Sequence, residues 1–114
     1  VIHGRMIRLS LFFFMLLPLV TSAQKVKVGS KHFNEGYILS EIISQLLESH
    51  GVGVERIYNL GGTMVSYEAL AQGEIDVYPE YTGTIAMEIL KAGQSLPVEA
   101  INDSLRRRSL QISQ

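Results

Sequence analysis

Residues 25–51 read KVKVGSKHFNEGYILSEIISQLLESHG, a short alternating segment followed by one of helical periodicity. The first five residues alternate polar and apolar side chains and stop at Gly29, which is typical of a β-strand. Apolar residues then recur every three or four positions, which predicts a helix with one broad apolar face. That face comprises Ile38, Leu39, Ile42, Ile43, Leu46 and Leu47. Gly51 is a natural stop after the last turn, so the stretch predicts one strand followed by one helix.

The same order of elements repeats along the rest of the chain. Residues 52–60 predict a second strand, residues 75–78 predict a short third one, and residues 110–112 resemble the beginning of a fourth. Further helices are predicted to begin at Thr63, at Thr82 or Gly83, and at Pro97. Strands that alternate with helices imply an α/β fold with a parallel sheet, helices on its faces and right-handed crossovers.

The N-terminal residues have the pattern of a secretion signal. Two arginines precede an apolar run at residues 9–20, and the small residues Thr-Ser-Ala follow it. This order predicts a signal peptide over residues 1–23 and a mature domain over residues 24–114, located in the periplasm or another extracytoplasmic space. A membrane anchor is the alternative. A spanning helix needs about 20 apolar residues, whereas this run is shorter and contains Pro18.

The composition excludes several classes of function. Of the 114 residues, 46% are hydrophobic and 18% charged, the net charge is −1, and there is no cysteine. Disulfides, thiolate metal sites and a cysteine nucleophile are therefore excluded. The three arginines at 106–108 are too few to predict a nucleic-acid surface. No spacing resembles a metal site or a phosphate-binding loop, and Asp76 and Glu80 form no credible acid–base pair. The sequence predicts no catalytic residue, no cofactor and no metal.

The distinctive residues fall where predicted strands end. Ligands of open parallel sheets bind outside the carboxyl ends of the strands. The segments at 29–35, 60–63 and 79–84 lie at three such ends, and each leads into a helix N-terminus, which suits an anion. Lys31 would add a positive charge, and the face of Tyr81 would attract a cation that cannot donate hydrogen bonds, such as a quaternary ammonium group. Aromatic and donor groups together fit a zwitterion.

Each of these residues also has a simpler interpretation. A lone lysine after a strand is usually a solvated surface charge, and Tyr81 can be a half-buried packing residue. The glycine pair at 61–62 needs only to form a tight turn. Spacing alone leaves these alternatives open.

Five segments together resemble a known family. They are VGSKHFNE at 28–35, YIL at 37–39, LGGT at 60–63, EAL at 68–70 and GEIDVYPEYTGT at 73–84. They closely resemble the substrate-binding proteins of glycine betaine, choline and carnitine ABC importers, over residues from about 25 to about 108. The last block is specific to this family. The resemblance implies a type II periplasmic-binding-protein (Venus flytrap) fold, with three layers around a parallel sheet. Because the family's proteins are more than twice this length, residues 24–114 would be the first lobe, truncated.

The resemblance also implies roles for individual residues. Two lobes close around the ligand, and Tyr81 would be the residue that this lobe contributes to a tyrosine cage. Lys31 and Thr84 would hold the ligand's carboxylate, and Thr63 lies near the cleft as a weaker candidate. A threonine at position 84 can donate to a carboxylate, whereas an aspartate would repel it, so glycine betaine is expected over choline. Many relatives have Gln where this chain has Gly36, which removes one polar contact.

The partners implied by the resemblance are a small quaternary ammonium ligand and the permease subunits of an ABC importer in the membrane, with no nucleic acid. Three alternatives remain. The domain can be part of a chain fused to its permease, or a sensory module that signals without transport. It can also be an enzyme built on a similar lobe, since fold does not determine function. A single lobe is expected to bind ligand weakly, because one aromatic wall cannot enclose a quaternary ammonium group.

Overall fold

The computed structural model describes residues 24–113, so the predicted signal peptide at residues 1–23 lies outside the described residues. The strands are β1 (Val26–Gly29) and β2 (Val54–Ile57). The helices are α1 (Asn34–Ser49), α2 (Thr63–Ala71), α3 and α4 (Val98–Arg106). Helix α3 is α-helical over Thr82–Thr84 and π-helical over Ile85–Ile89. In this described part, no helix is both long and apolar enough to cross a membrane.

The two strands pair in parallel, with Val26 opposite Val54 and Gly29 opposite Ile57. The predicted parallel α/β arrangement is thereby confirmed. The third strand predicted at residues 75–78 is wrong, because this segment joins β1 through one bridge only, between Val28 and Val77.

A side chain explains why the third strand does not form. The backbone N–H of Lys27 donates to Asp76 Oδ2 at 2.8 Å, so a carboxylate occupies a position that a ladder would give to a backbone carbonyl. The Gly29 N–H still donates to the Val77 carbonyl at 2.8 Å, which holds the segment beside the end of β1. No strand is present at residues 110–112 either, where the Ile112 N–H donates to the side chain of Asn102.

Helix α1 buries a different face from the one predicted. Its buried residues are the small Gly36, Ser40 and Ser44, one turn apart. The Ser40 hydroxyl donates to the Gly29 carbonyl at 2.7 Å, so this face of small residues lies against the end of β1. The predicted apolar face is consequently split. Leu39, Ile43 and Leu47 are half-buried, while Ile38, Ile42 and Leu46 are 62%, 58% and 59% exposed.

The hydrophobic core of the described residues lies between α3 and α4. It consists of Ile85, Ala86, Ile89, Ile101 and Leu105. The π-helical turn of α3 closes with a hydrogen bond from the Leu90 N–H to the Ile85 carbonyl at 2.8 Å. A π-turn accommodates one extra residue per turn and often lies near functional sites. Here it directly follows the segment that carries Tyr81 and Thr84.

Candidate functional site

The candidate site lies at the carboxyl ends of β1 and β2 and of the segment bridged at Val77. Two backbone hydrogen bonds hold the first two loops together. The Leu60 N–H donates to the Ser30 carbonyl at 3.0 Å, and the His32 N–H donates to the Gly61 carbonyl at 2.9 Å. Gly61 has a φ of +125°, a backbone conformation that favours glycine, so this residue allows the chain to form a tight turn. The first two of the three loops predicted to converge are therefore adjacent.

Lys31 is the centre of a polar cluster. Its ammonium donates to Glu80 Oε1 at 2.9 Å and to Thr63 Oγ1 at 3.3 Å, and it lies 5.5 Å from the centre of the Phe33 ring. The side chains of Lys31 and Glu80 are only 12% and 5% exposed. Lys31 is thus not a solvated surface charge, and the structure brings it together with Thr63, another predicted site residue.

Glu80 is the residue that sequence reasoning missed. Its Oε1 accepts from Lys31 Nζ and also from the backbone N–H of Tyr81, at 3.0 Å. Its Oε2 is buried and has no hydrogen-bond partner among the residues that the structure describes. The available signal was its position beside Tyr81 at the end of a predicted strand. Its pairing with Lys31, 49 positions away, depends on the tertiary fold.

The charge of Glu80 affects the pKa of a neighbouring buried group, the phenol of Tyr78. Tyr78 is half-buried, and burial raises the pKa of its phenol, with a further contribution from the negative charge of Glu80 nearby. The tyrosine therefore stays neutral at physiological pH and can serve only as a hydrogen-bonding or packing group.

Tyr81 precedes α3 in an extended conformation and is 43% exposed. Its hydroxyl donates to Glu35 Oε1, in the first turn of α1, and this hydrogen bond raises the pKa of the phenol. The contact holds the tip of the ring while leaving much of its surface accessible. The interpretation of Tyr81 as a half-buried packing residue is therefore not favoured, because an exposed ring that is fixed at its tip is available to a ligand.

Thr84 lies in α3, three residues after Tyr81, and is half-buried. Within residues 24–113, no hydrogen bond joins its side chain to Lys31, Thr63 or Tyr81. The structure thus brings together three of the four predicted site residues through the cluster around Glu80, and it places the fourth on the next helical turn. No group of three or more His, Asp or Glu side chains in the described range is arranged to hold a metal ion.

The α/β arrangement, with polar and aromatic groups at the carboxyl ends of a parallel sheet, defines a ligand-binding lobe of the periplasmic-binding-protein type. The solved structure of apo YehZ from Escherichia coli matches it with a TM-score of 0.65 and 38% sequence identity, over 75% of this chain and 32% of that chain. Residues 24–106 match the family described as the substrate binding domain of ABC-type glycine betaine transport system, OpuAC. The chain belongs to this family, as its motifs predicted.

Two relatives illustrate the range of the family. Glycine betaine-binding protein YehZ of Escherichia coli (strain K12) is 54% identical over 67 residues, which are 59% of this chain and 22% of YehZ. EgtU of Helicobacter pylori (strain G27), an ergothioneine transport permease/ergothioneine binding protein, is 46% identical over 65 residues. That match covers 56% of this chain and 12% of EgtU. These matched stretches are therefore about a fifth or less of the length of the two relatives.

Proposed function

We propose that this chain forms the first ligand-binding lobe of an extracytoplasmic receptor that captures a quaternary ammonium solute for an ABC importer. The observation that carries the proposal is the exposed Tyr81, whose backbone N–H donates to Glu80 of the buried Lys31–Glu80 pair, at the carboxyl ends of the parallel sheet. An accessible aromatic face attracts a cation that cannot donate hydrogen bonds. A neighbouring ammonium attracts a carboxylate. Nothing in this arrangement resembles a nucleophile with its base, and the family is one of transport proteins.

The names of the relatives support a betaine as ligand. Glycine betaine and ergothioneine both carry a trimethylammonium group and a carboxylate. In this proposal Tyr81 contacts the ammonium head as part of a tyrosine cage that a second lobe completes. Lys31 and Thr84 hold the carboxylate. Thr63 accepts from Lys31 and positions it at the edge of the cleft.

The contribution of Tyr81 can be tested by measuring glycine betaine affinity of the chain by NMR titration, with Tyr81→Ala and Tyr81→Phe variants. Cation–π contacts contribute about 0.5–2 kcal/mol, so Tyr81→Ala should weaken binding roughly 2- to 30-fold. Tyr81→Phe is the matched control, because it also loses the hydrogen bond to Glu35 but keeps the aromatic face. An alanine variant that binds as tightly as the phenylalanine variant would contradict a cation–π role.

A second possible organisation of the polypeptide is suggested by the name of EgtU, which describes one protein as both a permease and a binding protein. In that arrangement the lobe belongs to a polypeptide that also carries the membrane-spanning part of the importer. The gene that encodes this domain would then also encode apolar segments of about 20 residues each. Sequencing the complete gene distinguishes the two arrangements, and ligand capture by the lobe is the same in both.

A further inference from the structure

The buried Lys31–Glu80 pair changes what the site requires of its ligand. Both side chains are nearly inaccessible to solvent, and their ammonium and carboxylate are 2.9 Å apart. The pair therefore has no net charge before any ligand arrives. A lysine ammonium has three donors, and Glu80 and Thr63 accept two of them. One N–H of Lys31 remains for a ligand.

A ligand carboxylate that approaches Lys31 also approaches the Glu80 carboxylate. Two carboxylates that share one ammonium repel each other, and the repulsion is strong where water is excluded. Glu80 consequently reduces the affinity that Lys31 would otherwise have for a carboxylate. In the absence of a ligand carboxylate, Glu80 also keeps Lys31 paired, so a ligand without that group leaves no buried charge uncompensated.

The second carboxylate oxygen of Glu80 also favours a cationic ligand over an anionic one. Oε2 is buried and accepts no hydrogen bond of ordinary length within the described residues, although the Tyr78 phenol interacts with this carboxylate, and an incompletely satisfied buried anionic oxygen is unfavourable. A cation held at the Tyr81 ring would lie within range of the Glu80 charge, which acts on the Tyr81 phenol and accepts from the Tyr81 backbone N–H. Its positive charge would offset part of that unfavourable energy without donating a hydrogen bond.

We propose that Glu80 is a specificity-determining residue that serves as an internal counterion of Lys31 and competes there with the ligand's own carboxylate. The charge of Glu80 then narrows the difference in affinity between betaines and quaternary ammonium cations that lack a carboxylate. This inference rests on the proposed function, because it specifies the class of ligands that the same site takes. A residue that only ties two loops together would not alter the balance between anionic and cationic ligands.

Two small compounds, each of which carries one of the two charged groups of a betaine, can test the inference separately. Sodium acetate carries the carboxylate alone, and tetramethylammonium chloride carries the cation alone. In the chain, acetate binding is followed by the NMR signals of the Lys31 Cε methylene, and tetramethylammonium binding by those of the Tyr81 ring, at constant ionic strength. Glu80→Gln keeps the size of the side chain and an oxygen that accepts from Lys31 and Tyr81, but it removes the charge. We expect acetate to bind at Lys31 about tenfold more tightly in this variant and tetramethylammonium to bind at Tyr81 about threefold more weakly.

Glu88→Gln is the matched control, because Glu88 is an exposed residue of α3 and the substitution changes the net charge equally. It should leave both affinities unchanged. Equal acetate affinity in Glu80→Gln and the unmodified chain would overturn the inference. If Glu80→Gln does not fold, the unmodified chain provides the test: acetate that binds at Lys31 more tightly than tetramethylammonium binds at Tyr81 overturns the inference. Failure of tetramethylammonium to perturb Tyr81 in the unmodified chain, even at the highest concentration reached, would instead contradict the cation-binding role of Tyr81 in the proposed function, while the acetate arm still tests the competition.

Discussion

At the scale of residues, different side chains of the candidate site would contact different charged groups of a small zwitterion. Lys31 is fixed from two sides by Thr63 and Glu80, which leaves one donor for a ligand. A carboxylate has two oxygens and binds firmly only when several donors converge on it. The site therefore needs a second donor close to Lys31. Among the predicted residues, Thr84 is the one whose hydroxyl has no hydrogen bond to another side chain in the described structure.

Substitution of Thr84 tests whether it supplies that donor. We expect Thr84→Asp to weaken glycine betaine binding by about tenfold or more, because like charges placed against each other are strongly unfavourable. Choline lacks a carboxylate and should not be rejected in this way. Thr84→Ser keeps the hydroxyl and is the matched control. Isothermal titration with both ligands measures the effect, and full betaine affinity in Thr84→Asp would show that position 84 does not contact the carboxylate.

At the scale of elements, α1 is attached to β2 by an exposed charged contact. Arg56 of β2 donates two hydrogen bonds to Glu41 of α1, at 2.8 and 2.9 Å, and another to Glu48. The hydrogen bonds from Arg56 are the main reason that the pKa of Glu41 falls from 4.5 to about 2. Such a contact between solvent-exposed groups orients the helix and contributes little to stability on its own.

The lowered pKa of Glu41 gives the contact a defined pH dependence. Because the folded-state pKa lies below the unfolded value, its contribution is fully present above about pH 4.5 and disappears as the pH falls towards 2. We expect the thermal midpoint to fall less between these pH values in Glu41→Gln than in the unmodified chain. Comparing the two slopes cancels the effect of the other carboxylates. Equal slopes would mean that Glu41 and Arg56 do not pair in solution.

A second feature at the scale of elements is the close packing of Ile75 and Leu60 against Gly29, at the end of β1. A Cβ atom added there would lie 2.6 Å from Ile75 Cδ1 and 2.9 Å from Leu60 Cδ1, and Ile75 is fully buried. We expect Gly29→Ala to lower the free energy of unfolding by about 1–3 kcal/mol through overpacking. Gly83→Ala is the control, since a Cβ at Gly83 meets nothing within 4 Å and alanine favours its helix. Urea unfolding of both variants measures the difference, and equal stability would exclude a tight contact at the end of β1.

The sequence was sufficient to predict features that depend on local patterns. Alternation of elements predicted the parallel sheet, and loops after strands predicted where Lys31, Thr63 and Tyr81 would converge. Features that depend on long-range contacts could not be predicted. The Asp76 carboxylate that replaces a ladder partner, the serine face of α1 and the inward orientation of Glu80 each depend on a residue at least eleven positions away. The π-turn of α3 has no simple sequence pattern, because it adds only one residue to an ordinary helical turn.

At the scale of the whole molecule, the described residues 24–113 contain two different interiors. The core between α3 and α4 is entirely apolar, whereas the fully buried side chains around β1 combine the apolar Val28 and Ile75 with Ser30, Ser40 and Ser44. Apolar burial contributes about 25 cal/mol for each Å² removed from water, and buried hydroxyls contribute little beyond satisfying their hydrogen bonds. The α3–α4 core should therefore supply most of the stability, while the part nearest the candidate site depends on close packing and hydrogen bonds.

Matched truncations of two isoleucines test this division. Ile101 is fully buried in the α3–α4 core, and Ile42 lies exposed on α1. We expect Ile101→Ala to lower the free energy of unfolding by about 2–5 kcal/mol, since it removes buried methyl groups and leaves a cavity. Ile42→Ala should change it by less than about 0.5 kcal/mol, because water already reaches that side chain. Urea unfolding of both variants measures the two effects. A loss of stability in Ile42→Ala as large as in Ile101→Ala would mean that the exposed stripe of α1 is covered in the folded protein.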